Sequence, residues 1–127
     1  MKKATLIIRI LLGLIGLIFG LNKFLQFMPT PPMPQPAEEF MGALVASGYL
    51  MVVVALVEIG TGIMLLINRY QPLALVILFP VLLNALLFHI FLAPAGMGGA
   101  LVATVMNIFL FFANIDSYRA LLQPKQD

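Results

Sequence analysis

Apolar residues fill four long stretches of the chain, at about 5–27, 48–67, 73–92 and 99–121, separated by short segments rich in proline, glycine or charge. Each stretch approaches the ~20 residues that a helix needs to cross a bilayer core. The pattern predicts an all-α integral membrane protein, a four-transmembrane-helix bundle forming a single membrane domain over residues 1–127. Between the first two stretches, residues 28–36 hold Pro29, Pro31, Pro32, Pro34 and Pro36. So many prolines cannot continue a helix and predict a short, stiff extracytoplasmic loop. Glu38 and Glu39 then suit a helix start, where carboxylates meet the positive end of the dipole. Gly48 divides a short interfacial helix, about 37–46, from the second span. Residues 68–72 and 93–99 read as turns, and 123–127 as a solvated tail.

Composition supports the membrane class. The chain of 127 residues is 62% hydrophobic and only 9% charged, against roughly 25% charged in soluble domains. Lys2, Lys3 and Arg9 resemble the basic start of a secretion signal. The apolar stretch behind them is too long, however, and Gly20-Leu21-Asn22-Lys23 offers no small-x-small cleavage site, so an uncleaved helix is expected. Lys2, Lys3, Arg69, Arg119 and Lys125 gather at one end of the predicted bundle, with Arg9 about a turn inside. The loops at the other end carry Glu38 and Glu39 but no Lys or Arg. By the positive-inside rule both termini are cytoplasmic and two loops lie outside.

The absence of cysteine removes disulfides, thiolate nucleophiles, iron–sulfur ligation and dithiol exchange. With one histidine, His89, the chain alone cannot supply bis-His haem ligation or a three-His zinc site; no metal site and no covalent cofactor are expected. The net charge of +2 is small and scattered, which points away from nucleic acid.

Polar residues inside the apolar stretches carry the chemistry. Arg9, Gly13, Gly16, Gly20, Lys23 and Phe27 are spaced 4, 3, 4, 3, 4 and share one helix face. Their glycines would admit a neighbouring backbone at close range. Gly48, Met51, Ala55, Glu58, Gly62, Leu65 and Arg69 form a similar stripe in the second stretch, and Ala100, Thr104, Asn107, Phe111 and Asn114 in the fourth. In the third, Pro80 and Asn84 share a face, with His89 about 140° round from Asn84. At ~1.5 Å of rise per residue, Glu58, Asn84 and Asn107 fall near the midplane, and Lys23 and His89 near the outer boundary. The expected assembly is a polar interior in which Glu58 meets Asn84 and Asn107, below a mouth lined by Lys23 and His89. A carboxylate at bilayer depth is costly unless paired, protonated or wet, which marks Glu58 as the centre of a site. Its ion-pair partner, Lys23 or Arg9, stays open, although the depth of Arg9 argues against it.

At these residues the chain resembles the DoxX family of small four-helix bacterial membrane proteins. The resemblance rests on Arg9-x3-Gly13, Gly20-x2-Lys23-Phe24, the Pro-rich loop with Phe40 and Gly48-Tyr49, Glu58-Ile59-x2-Gly62-x2-Leu65-Leu66, Pro80-x3-Asn84-x4-His89 and the turn at Pro94. It implies a protein of the bacterial cytoplasmic (inner) membrane. Some relatives are linked to quinone-coupled sulfur oxidation or membrane oxidoreductase complexes, and Arg9, Lys23, Glu58, Asn84 and His89 match the family's polar positions.

Three functions follow as expectations. The first is a small subunit or accessory of a membrane redox system that binds quinone or another lipid-soluble molecule at a polar site between helices. Glu58 and His89 would handle protons and Lys23 would stabilise an oxyanion. No self-sufficient catalytic motif is present, so the chain is at most a subunit of a quinone-linked oxidoreductase and needs a redox partner protein. The second is proton-coupled transport of a small solute, for which four helices leave little room unless the protein forms a homo-oligomer. The third is a structural or lipid-binding scaffold in the bilayer. The ligand-binding or proton-relay candidates are Glu58, His89, Lys23, Asn84, Asn107 and Arg9; no catalytic residue is assigned.

Overall fold

The computed structural model describes residues 2–125, and every regular element within them is helical. Helix α1 (Lys2–Leu25) is built from Leu and Ile with no proline. It ends where the Pro-rich segment begins, with Gln26 in the left-handed region (φ 51°) and Asn22 Oδ1 accepting the Met28 N–H at 2.8 Å. Helix α2 (Gln35–Ala46) starts with Pro36 in its first turn, where a missing N–H is harmless. Ser47 and Gly48 then break the path. Ser47 Oγ accepts the Leu50 N–H at 3.1 Å, and Gly48 adopts φ +82°, a value that favours glycine. Helix α3 (Leu50–Leu66) therefore leaves at 87° to α2.

Asn68 and Tyr70, both left-handed, make the tight turn into α4 (Gln71–Phe91). A 3₁₀ turn at Pro94–Gly96 leads into α5 (Met97–Ala113). The apolar pattern predicts a fourth stretch reaching residue 121, but the helix stops at Ala113. Asn114 Nδ2 bonds back to the Leu110 carbonyl at 2.8 Å, a local bond that competes with helix continuation. The chain then turns through a 3₁₀ segment (Ile115–Tyr118) into α6 (Arg119–Leu122). Tyr118 folds under the bundle: its hydroxyl donates to the Pro72 carbonyl at 2.8 Å and its ring stacks on Phe111. Gln123, Pro124 and Lys125 are exposed, and the rest of the expected solvated tail, residues 126–127, lies outside the described residues.

Three stretches are long and apolar enough to cross a membrane: α1, α4 and the segment Pro94–Ala113. The bent pair α2 and α3 passes the same test together, which allows up to four spans. Helix α1 packs on α3, α3 on α4, α4 on α5 and α5 back on α1, closing a ring, while α2 touches it only lightly. The core inside holds Leu12, Leu65, Ala74, Leu75, Leu78, Leu82, Ala103 and Leu110. The outside is apolar too, with Leu, Ile, Val and Phe exposed along every long helix. A bilayer, unlike water, makes such a surface favourable.

Candidate functional site at the α1–α3 seam

The glycine stripe of α1 faces α3 directly. A Cβ added at Gly62 would lie 2.7 Å from the Leu17 nitrogen and 2.8 Å from the Gly13 oxygen; one at Gly16 would lie 3.0 Å from the Glu58 oxygen. Backbone therefore touches backbone along this seam, as small residues permit. The close approach sets up the ion pair above it. Helical side chains lean toward the N-terminus of their own helix. Because α1 and α3 run antiparallel, these leans are opposed: Lys23 reaches back along α1, Glu58 back along α3, and they meet. Lys23 Nζ stands 2.5 Å from Glu58 Oε1, with the two side chains 22% and 11% exposed. The other carboxylate oxygen, Oε2, has no protein partner among the described residues.

The remaining candidates do not converge on this pair. Arg9 is buried near the N-terminal end of α1, where its Nη1 donates to the carbonyl of Leu65 and, at 3.4 Å, to that of Leu66. It thus adds a charged donor at the carbonyls that end α3, where that of Leu65 also accepts the Asn68 N–H at 3.3 Å, at the negative pole of the helix. Asn107, 2% exposed, donates from Nδ2 to the Leu75 carbonyl at 3.3 Å and so ties α5 to α4. That carbonyl lies beside the one on Val76 that Pro80 leaves without an N–H four residues on. Asn84 does share a face with Pro80, but both are exposed on the outside of α4, away from Glu58. The buried face of α4 is the wholly apolar set Ala74, Leu75, Leu78 and Leu82, and Asn84 lies about 200° round from Leu82.

His89 closes the turn between α4 and α5. Its Nδ1 lies 3.1 Å from the Ala93 carbonyl, so Nδ1 carries the hydrogen, and its ring sits so tightly on Gly96 that an added Cβ there would come within 2.6 Å of Cε1. The predicted polar interior thus reduces to Lys23 and Glu58, with Asn107, His89 and Arg9 each occupied in a neighbouring joint.

Two grooves lie away from the pair. One, of about 360 Å³, runs between α4 and α5 along Val76, Phe79, Pro80 and Ile108, with Asn107 at its base. The other, of about 430 Å³, opens at the end of the bundle that holds the α1 N-terminus, between Lys2, Arg9, Asn68 and Gln71. Gln71 was not among the candidates, yet its Nε2 is buried without a partner. Its place in a polar turn next to Pro72 gives no hint of burial in the sequence, because Tyr118, far along the chain, is what folds beneath that turn.

No curated protein and no solved structure matches the chain. The DoxX family model matches residues 4–90, a span that runs from α1 almost to the end of α4 and includes both partners of the ion pair. The chain is a member of the DoxX family.

Proposed function

We propose that this DoxX-family membrane protein is a four-span subunit or accessory of a redox system in the bacterial cytoplasmic membrane. In this reading α1, α3, α4 and α5 cross the bilayer, α2 lies along its outer boundary, both termini are cytoplasmic, and the Lys23–Glu58 pair binds the polar head of quinone or another lipid-soluble molecule. The observation that carries it is the pair itself. Glycine packing already closes the α1–α3 seam, so two buried charges are not needed to hold it. Replacing such pairs by apolar side chains is often neutral or stabilising, so their presence asks for another use.

The donor set suits a quinone head. Glu58 Oε2 is free to hold or share a proton at a carbonyl oxygen. The Lys23 ammonium donates hydrogen bonds to an oxygen that gains negative charge, and keeps the carboxylate in position. A bound quinone would supply the two-electron chemistry. The electrons would come from a partner flavin or iron–sulfur protein, since this chain has no cysteine ligands for a cluster.

Native mass spectrometry of the detergent-purified protein tests this. The expected result is a bound quinone or comparable lipid-soluble mass that falls about tenfold in occupancy in Glu58→Gln, the scale of one lost charge-assisted hydrogen bond. A protein with no such mass, whose proton-coupled solute flux in liposomes depends on Glu58, would be a transporter instead. One unchanged on both counts would be a scaffold whose ion pair only fixes helix register.

A further inference from the structure

Leu73, Ile77, Pro80, Asn84, Leu87 and Phe91 are spaced 4, 3, 4, 3, 4 along α4, and all six are exposed. That spacing is the signature of a helix seam. The stripe of α1 has the same spacing, and from Arg9 to Gly20 it is buried, its glycines against α3, although Phe27, past the end of the helix, is exposed. The stripe of α4 is exposed along its whole length among the described residues, bordering α5 only through the groove at Pro80.

Asn84 lies three residues past the centre of α4, at a depth where only lipid tails would meet it. Arg9, Glu58, Thr61, Thr104 and Asn107, the buried polar residues within the helices, all have partners in the chain, whereas Gln71, whose buried Nε2 has none, sits at the very start of α4 beside the polar turn. Among the described residues Asn84 has no side-chain hydrogen bond. Acyl chains offer neither donor nor acceptor, so the amide stays unsatisfied unless another protein surface brings both.

A second copy does so by symmetry. Two copies in one membrane with the same orientation can be related by a two-fold axis only along the membrane normal. Such an axis places each residue opposite itself at the same depth. A carboxamide has a donor and an acceptor, so two facing Asn84 side chains can satisfy each other with two hydrogen bonds. A lone Asn in an otherwise apolar heptad seam also fixes register and the number of strands. The groove walled by Val76 and Pro80 adjoins the stripe and leaves a recess for apolar side chains from across the seam.

We propose that the exposed α4 stripe is the seam of a parallel homodimer, centred on a hydrogen-bonded pair of Asn84 side chains. The dimer depends on α4 crossing the bilayer and not on what binds at Lys23 and Glu58, so the two ideas fail separately.

The test uses the full chain, whose lack of cysteine makes any introduced thiol unique. Ile77→Cys and Leu87→Cys in native membranes under mild oxidation should give a disulfide-linked species of twice the chain mass. Leu56→Cys on α3 and Val102→Cys on α5, positions more exposed than either, should not. Dilution in liposomes, followed by energy transfer between labelled copies, should show dimerisation weakened roughly three- to twentyfold by Asn84→Leu and largely kept by Asn84→Gln. Thermal melting of the dilute monomer should be nearly unchanged by Asn84→Leu, because the exposed side chain makes no hydrogen bond within its own chain among the described residues. Cross-linking equal at the control positions, adducts of another mass, or an affinity indifferent to Asn84→Leu would each overturn the proposal.

Discussion

Lys23 and Glu58 depend on each other unequally. The lysine has a long stem and is the more exposed partner, so it can snorkel to the outer headgroups if the carboxylate is lost. The carboxylate has no such escape. Lys23→Met is therefore expected to destabilise the folded protein by about 3 kcal/mol, the cost of leaving a buried charge unpaired. Glu58→Gln should cost less, and the double variant should regain part of the loss; a double-mutant cycle on melting in detergent measures all three. Arg9 supports a second expectation. Arg9→Met leaves the Leu65 carbonyl with only the Asn68 N–H at 3.3 Å and should cost about 1–2 kcal/mol, the scale of one charged hydrogen bond, with exchange of the last α3 amides speeding up first. Glu58 stood out in the sequence because a carboxylate in an apolar run has no ordinary explanation. Its partner was narrowed to Lys23 or Arg9, with the depth of Arg9 against it, but was not fixed, because Lys23 and Glu58 fall at different depths by backbone count. Only the opposite lean of side chains on antiparallel helices brings them together.

Helices α1 and α4 carry stripes of identical spacing, yet one is buried and the other exposed. Periodicity reveals a seam without revealing its other side. In α1 the glycines supply the missing information, since only backbone contact explains them, and the contact with α3 follows. In α4 the inward face is uniformly apolar, so the polar residues drew attention to the wrong side, and the expected meeting of Asn84 with Glu58 is absent. The end of α5 was misplaced for a different reason: hydropathy stays high past Ala113, whereas Asn114 stops the helix by a local side-chain bond. The glycines offer a sharp test of the seam. Gly62→Ala forces a Cβ within 3 Å of two α1 backbone atoms and should cost about 1–3 kcal/mol. Gly60→Ala and Gly42→Ala meet nothing within 4 Å and should be neutral or slightly stabilising, since alanine suits helix interiors better. Melting temperatures of the three variants would separate close packing from general helix propensity.

In the whole molecule, the four long helices close into a ring, and the chain's charges sort to its two ends. That sorting was legible from the loops alone because it depends on where Lys and Arg fall between apolar runs, not on how the helices pack. It leads to an expectation about topology: Glu39→Cys should react with a membrane-impermeant thiol reagent added to intact cells, and Arg69→Cys only after the membrane is opened. The polar interior was not legible at this scale, since each buried side chain chose a partner by distances of an ångström or two. The helix order has one more consequence, for synthesis. The glycine contacts, the Arg9 cap and the Lys23–Glu58 pair all lie between residues that have been made once the chain reaches Leu66. A nascent chain holding only α1 would carry two unmatched cations within its apolar stretch, whereas one that has completed α3 has already matched both. Insertion of this protein should thus become secure at its third helix, before α4 and α5 have left the ribosome.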